Sequence, residues 1–385
     1  MANTLVINFG SKTIKFEVFD ENLVSKMAGT IDDENGVFVL RIKTEIETSE
    51  YGHPINLDAG ENKYARIKQE CSAFQIDRIA FRIVHGGEKF IAPTLLSDED
   101  IVELEKYNEL APLHNPPAIK AIKEFKLIMG AIPFYGVFDT AFHQSMQKEQ
   151  FLYGLPYEYY EKYKIRRYGF HGISHKFVSQ KFAELEPTAK RILSCHLGSG
   201  CSITAIVDGK SFDTSMGFTP LEGLIMTTRP GDIDDGAIDY LRRISGMTNE
   251  EILTMENTKS GLLGISGISF DMRVLLEEEA RGNIQAKLAI DMFVYRIKKY
   301  IGAYAAAMGD VDGLIFTAGI GAGSDVIRKR IITGLEIFNL SIDDSINTGR
   351  MNVETPLKIS TADSKPIWVI PTDEEYQIAK EIAAL

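Results

Sequence analysis

Cysteine is scarce in this chain: Cys71, Cys195 and Cys201 are the only three in 385 residues. They are too few and too scattered for a disulfide framework or a paired-cysteine metal site, and they fit a reducing compartment where thiols stay free. No run of about 18 or more apolar residues occurs, so no bilayer span is expected. The opening Met-Ala-Asn-Thr-Leu-Val-Ile-Asn has neither a basic region nor an uninterrupted apolar core. No secretory signal is visible, and a cytoplasmic protein is expected. Positive charge is in deficit too, with 42 Lys and Arg against 54 Asp and Glu and a formal net charge of −12. A nucleic-acid coat or an anionic membrane would need a net basic face, so neither is an expected partner. A local cationic pocket for a phosphate or carboxylate is still compatible with that balance.

What is present is ordinary globular sequence, 44% hydrophobic and 25% charged, without a low-complexity linker. At roughly 150 residues per domain, the length suggests two domains. Residues 5–9 and 14–19 read as a β-hairpin around Gly10-Ser-Lys-Thr13, and residues 77–84 and 134–138 as further strands. Ser97 reads as the N-cap of an acidic helix, and Pro116-Pro117 as a break just before a second helix over 118–125. In the second half, helices are expected over 234–244 and 283–308. In the latter, Ile284, Leu288, Met292 and Tyr295 read as a core stripe. Strands over 312–317 and 367–370 and a helix over 373–384 complete the pattern, with Thr372 and Glu375 spaced as a capping box.

Residues 5–20 and 192–208 echo one another. Each runs strand, polar residue, X-Gly-Ser turn, hydroxyl residue, Ile, then an alternating strand. Any two hairpins share some of this, but strands and helices follow both copies in similar order, which favours duplication. Two α/β halves of this kind suggest two lobes with a cleft between them.

Four of the seven histidines have Gly, Pro or Ser as a direct neighbour. His171 and His175 have a metal-ligand spacing, but Gly172 between them weakens a helix there, and a metal hydrolase is disfavoured. Three glycine-bearing turns follow β-runs: Gly10-Ser11, Gly198-Ser-Gly200 and Gly319-Ile-Gly-Ala-Gly323. Together they point to nucleotide phosphate, because glycine lets successive N–H groups approach anionic oxygens. None matches the P-loop pattern. Arg82 interrupts an apolar strand, which a half-solvated outer face would explain equally well. Asp139 ends a strand, where metal-linked carboxylates sit in α/β sheets. Arg229 lies in a turn and could be a surface ion pair. Glu374 could be a first-turn acid that only complements the helix dipole.

Longer strings carry a resemblance. They are Asn8-Phe-Gly-Ser, Val84-His-Gly-Gly-Glu88, Ala111-Pro-Leu-His-Asn-Pro116, Phe138-Asp-Thr-Ala-Phe-His143, Tyr168-Gly-Phe-His171 and His196-Leu-Gly-Ser-Gly200. Asp213 to Gly223, Ser260 to Ser266 with Asp271-Met-Arg273, Phe316 to Gly321 and Pro371-Thr-Asp-Glu374 continue the set. The chain resembles the acetate kinase family of the acetate and sugar kinase, Hsp70 and actin superfamily.

The resemblance implies an α/β fold of two duplicated RNase H-like lobes, the actin-like ATPase architecture. Residues 1–143 with the helix 373–385 would form one lobe, and residues 144–372 the other, which carries most of the nucleotide site. It further implies reversible transfer of the ATP γ-phosphoryl group to acetate, giving acetyl phosphate and ADP, in a homodimeric enzyme. Asn8 and Glu374 would hold Mg2+, which Mn2+ could replace, and Lys15 would approach the nucleotide phosphates. Arg82 would bind the acetate carboxylate, with Asp139 beside the reacting centre. His171 and Arg229 would steady the transferring phosphoryl group. Val84, Leu113, Phe170 and Pro220 would surround the acetate methyl. His196, Leu197, Gly198, Ser199 and Gly200, then Asp271, Met272 and Arg273, then Gly319, Ile320, Gly321, Ala322 and Gly323, would line the nucleotide site.

The family's third loop normally carries Glu-Asn where Ala322-Gly323 stand, its second Asn where Ser199 stands, and its first Ala-Gly-Ser-Ser-Ser where Phe9 to Thr13 stand. Propionate as acceptor, pyrophosphate as phosphoryl partner, and a non-catalytic ligand-binding relative are the alternatives. Retention of Arg82, Asp139, His171, Arg229 and Glu374 together argues against the last.

Overall fold

A hairpin starts each of two sheets in the computed structural model, which describes residues 2–10, 13–34, 37–44, 51–55, 62–112, 114–349 and 355–385. Two units are separated in it, Met1–Phe142 with Asp373–Leu385, and His143–Thr372. In the first, β1 (Asn3–Phe9), β2 (Thr13–Phe19), β3 (Ser25–Glu34), β4 (Val37–Thr44), β5 (Tyr51–Ile55), β6 (Ile76–Ile83), β7 (Thr94–Leu95) and β8 (Phe134–Phe138) form one sheet. Its order is β5-β4-β3-β2-β1-β6-β8-β7. In the second unit, β9 (Arg191–Leu197), β10 (Cys201–Val207), β11 (Lys210–Thr214), β12 (Gly313–Thr317), β13 (Leu357–Lys358) and β14 (Ile367–Val369) are ordered β11-β10-β9-β12-β14-β13.

The same plan runs through both sheets. β1 pairs antiparallel with β2 and parallel with β6, which pairs parallel with β8. β9 pairs antiparallel with β10 and parallel with β12, which pairs parallel with β14. Central β1 and β9 are buried on both faces along nearly their whole length, as strands flanked by a parallel neighbour usually are. The echo between residues 5–20 and 192–208 is therefore the repeated first hairpin of two sheets with one strand order.

Helices depart from the sequence reading in four places. Pro116 and Pro117 lie inside the first turn of the helix Asn115–Met129 rather than before it, because that turn leaves unused the N–H that proline lacks. The helix Ile284–Met308 buries Ala286, Ala289, Ile290, Phe293 and Ile297, while Ile284, Leu288, Met292 and Tyr295 are 82, 47, 38 and 65% exposed. The helix is apolar on two opposite faces, and its alanine-bearing face allows the closer approach to the sheet. Residues Ala318–Gly323 form a short helix, not a glycine loop. The last helix, Glu374–Ala383, is capped by Asp373, whose carboxylate accepts from the Tyr376 N–H at 2.9 Å, so Thr372 is not its cap. Ser97 does cap its helix, in a reciprocal box with Asp100. Among the described residues, no helix is long and apolar enough to cross a membrane.

The helix Glu374–Ala383 packs on β1 and β6 with Ile378, Ala379 and Ile382 buried. It thereby brings its two leading glutamates to the carboxyl ends of those strands.

One contact in the first sheet is tight enough to test. Phe16 on β2 is fully buried opposite Gly29 on β3, and a Cβ at position 29 would lie 2.2 Å from the Phe16 ring. Gly29→Ala is expected to destabilise the protein by about 1–3 kcal/mol through overpacking, read as a lower midpoint in urea or thermal unfolding. An unchanged midpoint would show that the ring moves aside at no cost.

Candidate active site

In the first unit the candidate groups converge at the carboxyl ends of β1, β6 and β8, where open α/β sheets bind ligands. Asn8 is buried near the end of β1 and donates to Glu374 Oε2 at 3.0 Å and to Glu375 Oε1 at 2.7 Å. Arg82 donates from Nε and Nη2 to the two oxygens of Asp139, at 3.0 and 2.7 Å. Its Nη1 donates to Asn8 Oδ1 at 3.1 Å and lies 3.0 Å from Glu374 Oε2. Burial alone would lower the Arg82 pKa, but Asp139 and Glu374 outweigh it and hold the guanidinium well above its ordinary value. The half-solvated outer face is thus excluded for Arg82. Its planar fork already grips a carboxylate, that of Asp139.

Negative charge is in excess here. Asp139, Glu374 and Glu375 face Arg82, with Lys15 half-exposed and 4.0 Å from Glu375. Glu17 nearby is pushed up to about 7, first by burial and further by Asp373 and Glu375, against the pull of Ser25 and Lys15. Burial likewise raises Asp373. An Asn carbonyl and carboxylate oxygens in a region this negative suit a hard cation such as Mg2+. Among the described residues, no three acidic, imidazole or thiol groups converge on one point. Such an ion would therefore draw most of its ligands from substrate and water, as Mg2+ commonly does.

Val84 is buried beside this cluster in sequence, and the turn after it is fixed. Asn115 exchanges two 3.0 Å hydrogen bonds with the His85 backbone, and His85 Nδ1 accepts from the Gly87 N–H at 3.0 Å. Leu113 lies outside the described residues.

The second unit carries the complementary sign. His171 caps the helix Gly172–Leu185 from the left-handed region, at φ 56°. A non-glycine residue held there is a strained position of the kind found at functional sites. Its ring stacks on that of His196, with centroids 4.2 Å apart. His175 points inward and bonds Ser194 and Ser202, so His171 and His175 do not make a metal pair.

Arg229 donates from Nη1 to Pro220 O at 3.1 Å, no carboxylate pairs with it among the described residues, and burial lowers its pKa. A partly buried guanidinium without a counter-ion can receive an anion. The surface ion pair considered for Arg229 is excluded. Gly261, at φ 59°, secures the Arg229 turn, since a Cβ there would sit 2.3 Å from Met226 O and 2.8 Å from the Arg229 N.

Beside this group lies a cavity of about 590 Å³, within the usual range of small-molecule sites. Gly198, Ser199, Asp271, Met272, Arg273, Gly319, Ile320 and Gly323 line it, with Thr227, Phe270, Leu276, Ser324, Asp325 and Val326. His196, Leu197, Gly200, Gly321 and Ala322 do not. Thr227 ties Ser199 in place, donating to its carbonyl from N at 3.2 Å and from Oγ1 at 3.0 Å. Phe170 is buried and Pro220 is partly exposed in this same unit.

Sequence reading missed Glu375, the second partner of Asn8, because its neighbour Glu374 already filled the expected role. It also missed Arg328. That residue is fully buried, donates to Gly321 O and Ala322 O at 3.0 and 2.7 Å, and is pulled down to about 10 by burial. In the sequence it looks like an outer charge of an amphipathic helix. Ser174, Ser194 and Ser202, which hold the imidazoles, were missed for want of any distinguishing motif.

Known proteins are similar to this chain in sequence and fold. The Acetokinase family matches residues 3–380. The chain is 45% identical to the acetate kinase of Bacillus subtilis over 395 aligned positions, covering 100% of both chains. It is 46% identical to that of Halalkalibacterium halodurans, covering 99% and 100%. Among solved structures, it is similar to an acetate kinase of Porphyromonas gingivalis, with a TM-score of 0.88, 36% identity and 99% and 98% coverage. It is similar to a propionate kinase of Francisella tularensis with a TM-score of 0.90, 38% identity and 99% coverage of each.

Gly200 offers a test of the anion receptor. A Cβ there would lie 3.1 Å from His171 Nε2 and 3.7 Å from Arg229 Nη1, in the space those donors share. Inorganic phosphate binding the native state should raise the melting temperature of the wild type. Gly200→Ala is expected to fold normally and lose most of that rise. An equal rise in both proteins would remove this space as the anion site.

Proposed function

Because the chain belongs to the Acetokinase family, it is a kinase with acetate as acceptor, and we propose that it moves the ATP γ-phosphoryl group reversibly to acetate with Mg2+ as its metal. The products in that direction are acetyl phosphate and ADP. The observation that carries the reading is Arg229, a partly buried cation without a carboxylate partner among the described residues, whose Nη1 shares the space above Gly200 with His171 Nε2. Phosphoryl transfer depends mainly on positioning and charge stabilisation, and these two donors supply both to the transferring group.

In this reading Arg82 binds the acetate carboxylate while Asp139 keeps its guanidinium aligned. Acetate, like other carboxylates with pKa near ~4, is already ionised at neutral pH and needs no general base. Asp139 therefore orients Arg82 and the water shell of the metal. Asn8 and Glu374 hold Mg2+, which when bound neutralises charge on the phosphoryl oxygens; Mn2+ would serve in its place. Lys15 reaches the nucleotide phosphates, and the cavity lined by Gly198, Asp271 to Arg273, Gly319 and Ile320 takes the nucleoside. Ala322 and Gly323 bring no side-chain polar contact to it, so discrimination between purines is weak. By family resemblance, Val84, Leu113, Phe170 and Pro220 are proposed as the contacts of the acetate methyl. The two RNase H-like lobes are residues 1–143 with 373–385, and residues 144–372. We place the protein in the cytoplasm, consistent with its three free, buried cysteines, without nucleic-acid or membrane partners.

Propionate is the second reading, favoured by the likeness to a propionate kinase at a TM-score of 0.90. An extra methylene gains ~0.8 kcal/mol where it fits and costs ~1–3 kcal/mol where it is forced in. With Val84 filling its position, acetate is expected to lead propionate by at most roughly 10- to 200-fold in kcat/KM. Hydroxamate trapping with both acids, and with ATP and pyrophosphate as donors, checks this. Preference for propionate or for pyrophosphate would replace the respective partner, and no product with any short acid would return the chain to a ligand-binding role.

The two arginines should fail differently. Arg82→Ala removes the cation that meets the bound acetate and also strips Asp139 and Glu374 of their counter-charge. It should raise the acetate KM at least about tenfold and lower the melting temperature, because one partner of a buried pair is lost. Arg229→Ala should leave melting nearly unchanged and lower kcat by about 100-fold, since its partner charge develops in the transition state. Near-normal kinetics for both variants would sink these roles.

A homodimer is part of the proposal. Ile284, Leu288, Met292 and Tyr295 give the helix Ile284–Met308 an exposed apolar face, of the kind that marks association surfaces. Leu288→Glu is expected to shift the mass measured by light scattering from dimer to monomer. A dimer unaffected by that charge would move the interface elsewhere.

A further inference from the structure

His171, read above as a contact of the transferring phosphoryl group, ends a buried hydrogen-bond chain that this reading leaves unused. Ser194 and His196 on β9 and Ser202 on β10 lie on one face of the sheet, since Ser202 pairs with His196 and Thr204 with Ser194. The helix Gly172–Leu185 covers that face and brings His175 onto it. Ser194 Oγ is 2.8 Å from His175 Nδ1, and His175 Nε2 is 2.8 Å from Ser202 Oγ. Ser202 Oγ is 2.9 Å from His171 Nδ1. Ser194, His175 and Ser202 are all fully buried.

Proton counting gives this chain a direction. A hydroxyl donates once, so Ser202 can donate to only one of its two imidazoles and must accept from the other. His175 is neutral, because burial drives its pKa well below the ordinary value, with His143 and His196 adding to the shift. Ser194 Oγ has no acceptor other than His175 Nδ1 among the described residues. If His175 carried its proton on Nδ1, the buried Ser194 hydroxyl hydrogen would have no partner, which native interiors avoid. Ser194 therefore donates to His175 Nδ1, His175 donates from Nε2 to Ser202, and Ser202 donates to His171 Nδ1. The proton of His171 is left on Nε2, the atom beside Gly200.

We propose that Ser194, His175 and Ser202 are positioning residues that fix His171 as a neutral imidazole protonated on Nε2, so that it meets the phosphoryl group as a hydrogen-bond donor and not as a cation. A cationic His171 would need a proton on Nδ1, and that proton would oppose the Ser202 hydroxyl and reverse the whole chain. Two neighbouring groups accord with a neutral ring. Arg229 supplies positive charge across Gly200, and the Cys201 thiol is pushed up to about 12 by burial and stays uncharged. A second chain holds the stacked ring in the same state: Thr372 Oγ1 donates to Ser174 Oγ at 2.8 Å, and Ser174 Oγ is 2.9 Å from His196 Nδ1. Beyond His175, His143 is fixed between Ser211 Oγ and Phe170 O at 2.8 and 3.0 Å and is lowered to about 4 by burial. The site thus divides its labour, with charge supplied by Arg229 and direction by His171.

The inference rests on the phosphoryl-contact role of His171 but can be tested apart from it. Full-length protein labelled with 15N-histidine should show His171 and His175 as neutral Nε2–H tautomers at pH 7 in long-range 1H–15N spectra, assigned with His171→Gln and His175→Gln. An Nδ1–H or cationic His171 would overturn the proposal without any assay. In kinetics, Ser202→Ala should lower kcat by about 10- to 100-fold, the usual cost of losing an imidazole's orienting partner. The acetate KM should stay within about twofold, and a new limb should enter the kcat–pH profile near the unperturbed histidine value of ~6.5. Ser202→Thr, which keeps the hydroxyl, should restore most of kcat and the wild-type profile. Wild-type kcat and pH profile in Ser202→Ala would refute the orienting role. Normal kcat in His171→Gln would instead remove the phosphoryl contact, while the spectra would still decide the tautomer.

Discussion

One guanidinium organises the first unit. Arg82 spends its fork on Asp139 and its remaining nitrogen on Asn8 and Glu374, joining the ends of three strands to the first turn of a helix from the far end of the chain. Each partner is buried, so each would be costly alone. Together they leave a surplus of negative charge and oxygen donors, the chemistry that a divalent ion and its water shell require. The same contacts explain why the helix Glu374–Ala383 docks where it does, since Glu374 and Glu375 both answer to Asn8.

The second unit solves the opposite problem. Transferring a phosphoryl group needs positive potential that is not cancelled in advance, and Arg229 is kept partly buried without an acidic partner among the described residues. Its turn is held by the Met226 N–H bond to Arg229 O and by close packing at Gly261, not by a salt bridge. The imidazoles of His143, His171, His175 and His196 in this unit are held by serine hydroxyls and a carbonyl rather than by carboxylates.

Much of this was legible in the sequence, for physical reasons that differ by residue. The hairpins around residues 5–19 and 192–207 announced themselves through alternation and glycine turns, and the repeated sheet order followed from their echo. Ser97 was readable as a cap because capping is local. The stripe on the helix Ile284–Met308 was assigned to the wrong side, because periodicity gives the faces of a helix apolar on both sides but not which one meets the sheet. The cap at Asp373 lost to Thr372 in the sequence because both residues can accept from the same turn. Glu375, Arg328 and Ser202 were invisible for a further reason. Their roles come from partners 367, 7 and 31 residues away, and nothing in their neighbours distinguishes them from ordinary surface or strand positions.

The arrangement of the first unit also bears on the order in which the protein can be made. Glu374 and Glu375 follow the whole of the second unit, His143–Thr372, in the chain. A ribosome adding ~5–20 residues per second needs on the order of ten to fifty seconds to cross that insertion. During that interval Asn8 and Arg82 stand at the ends of a sheet whose closing helix does not yet exist. Asp139 is already present and can hold Arg82, which makes the Arg82–Asp139 pair a temporary clasp for an unfinished domain. The carboxylate cluster around Asn8 is thereby completed only after the whole of the second unit has been added.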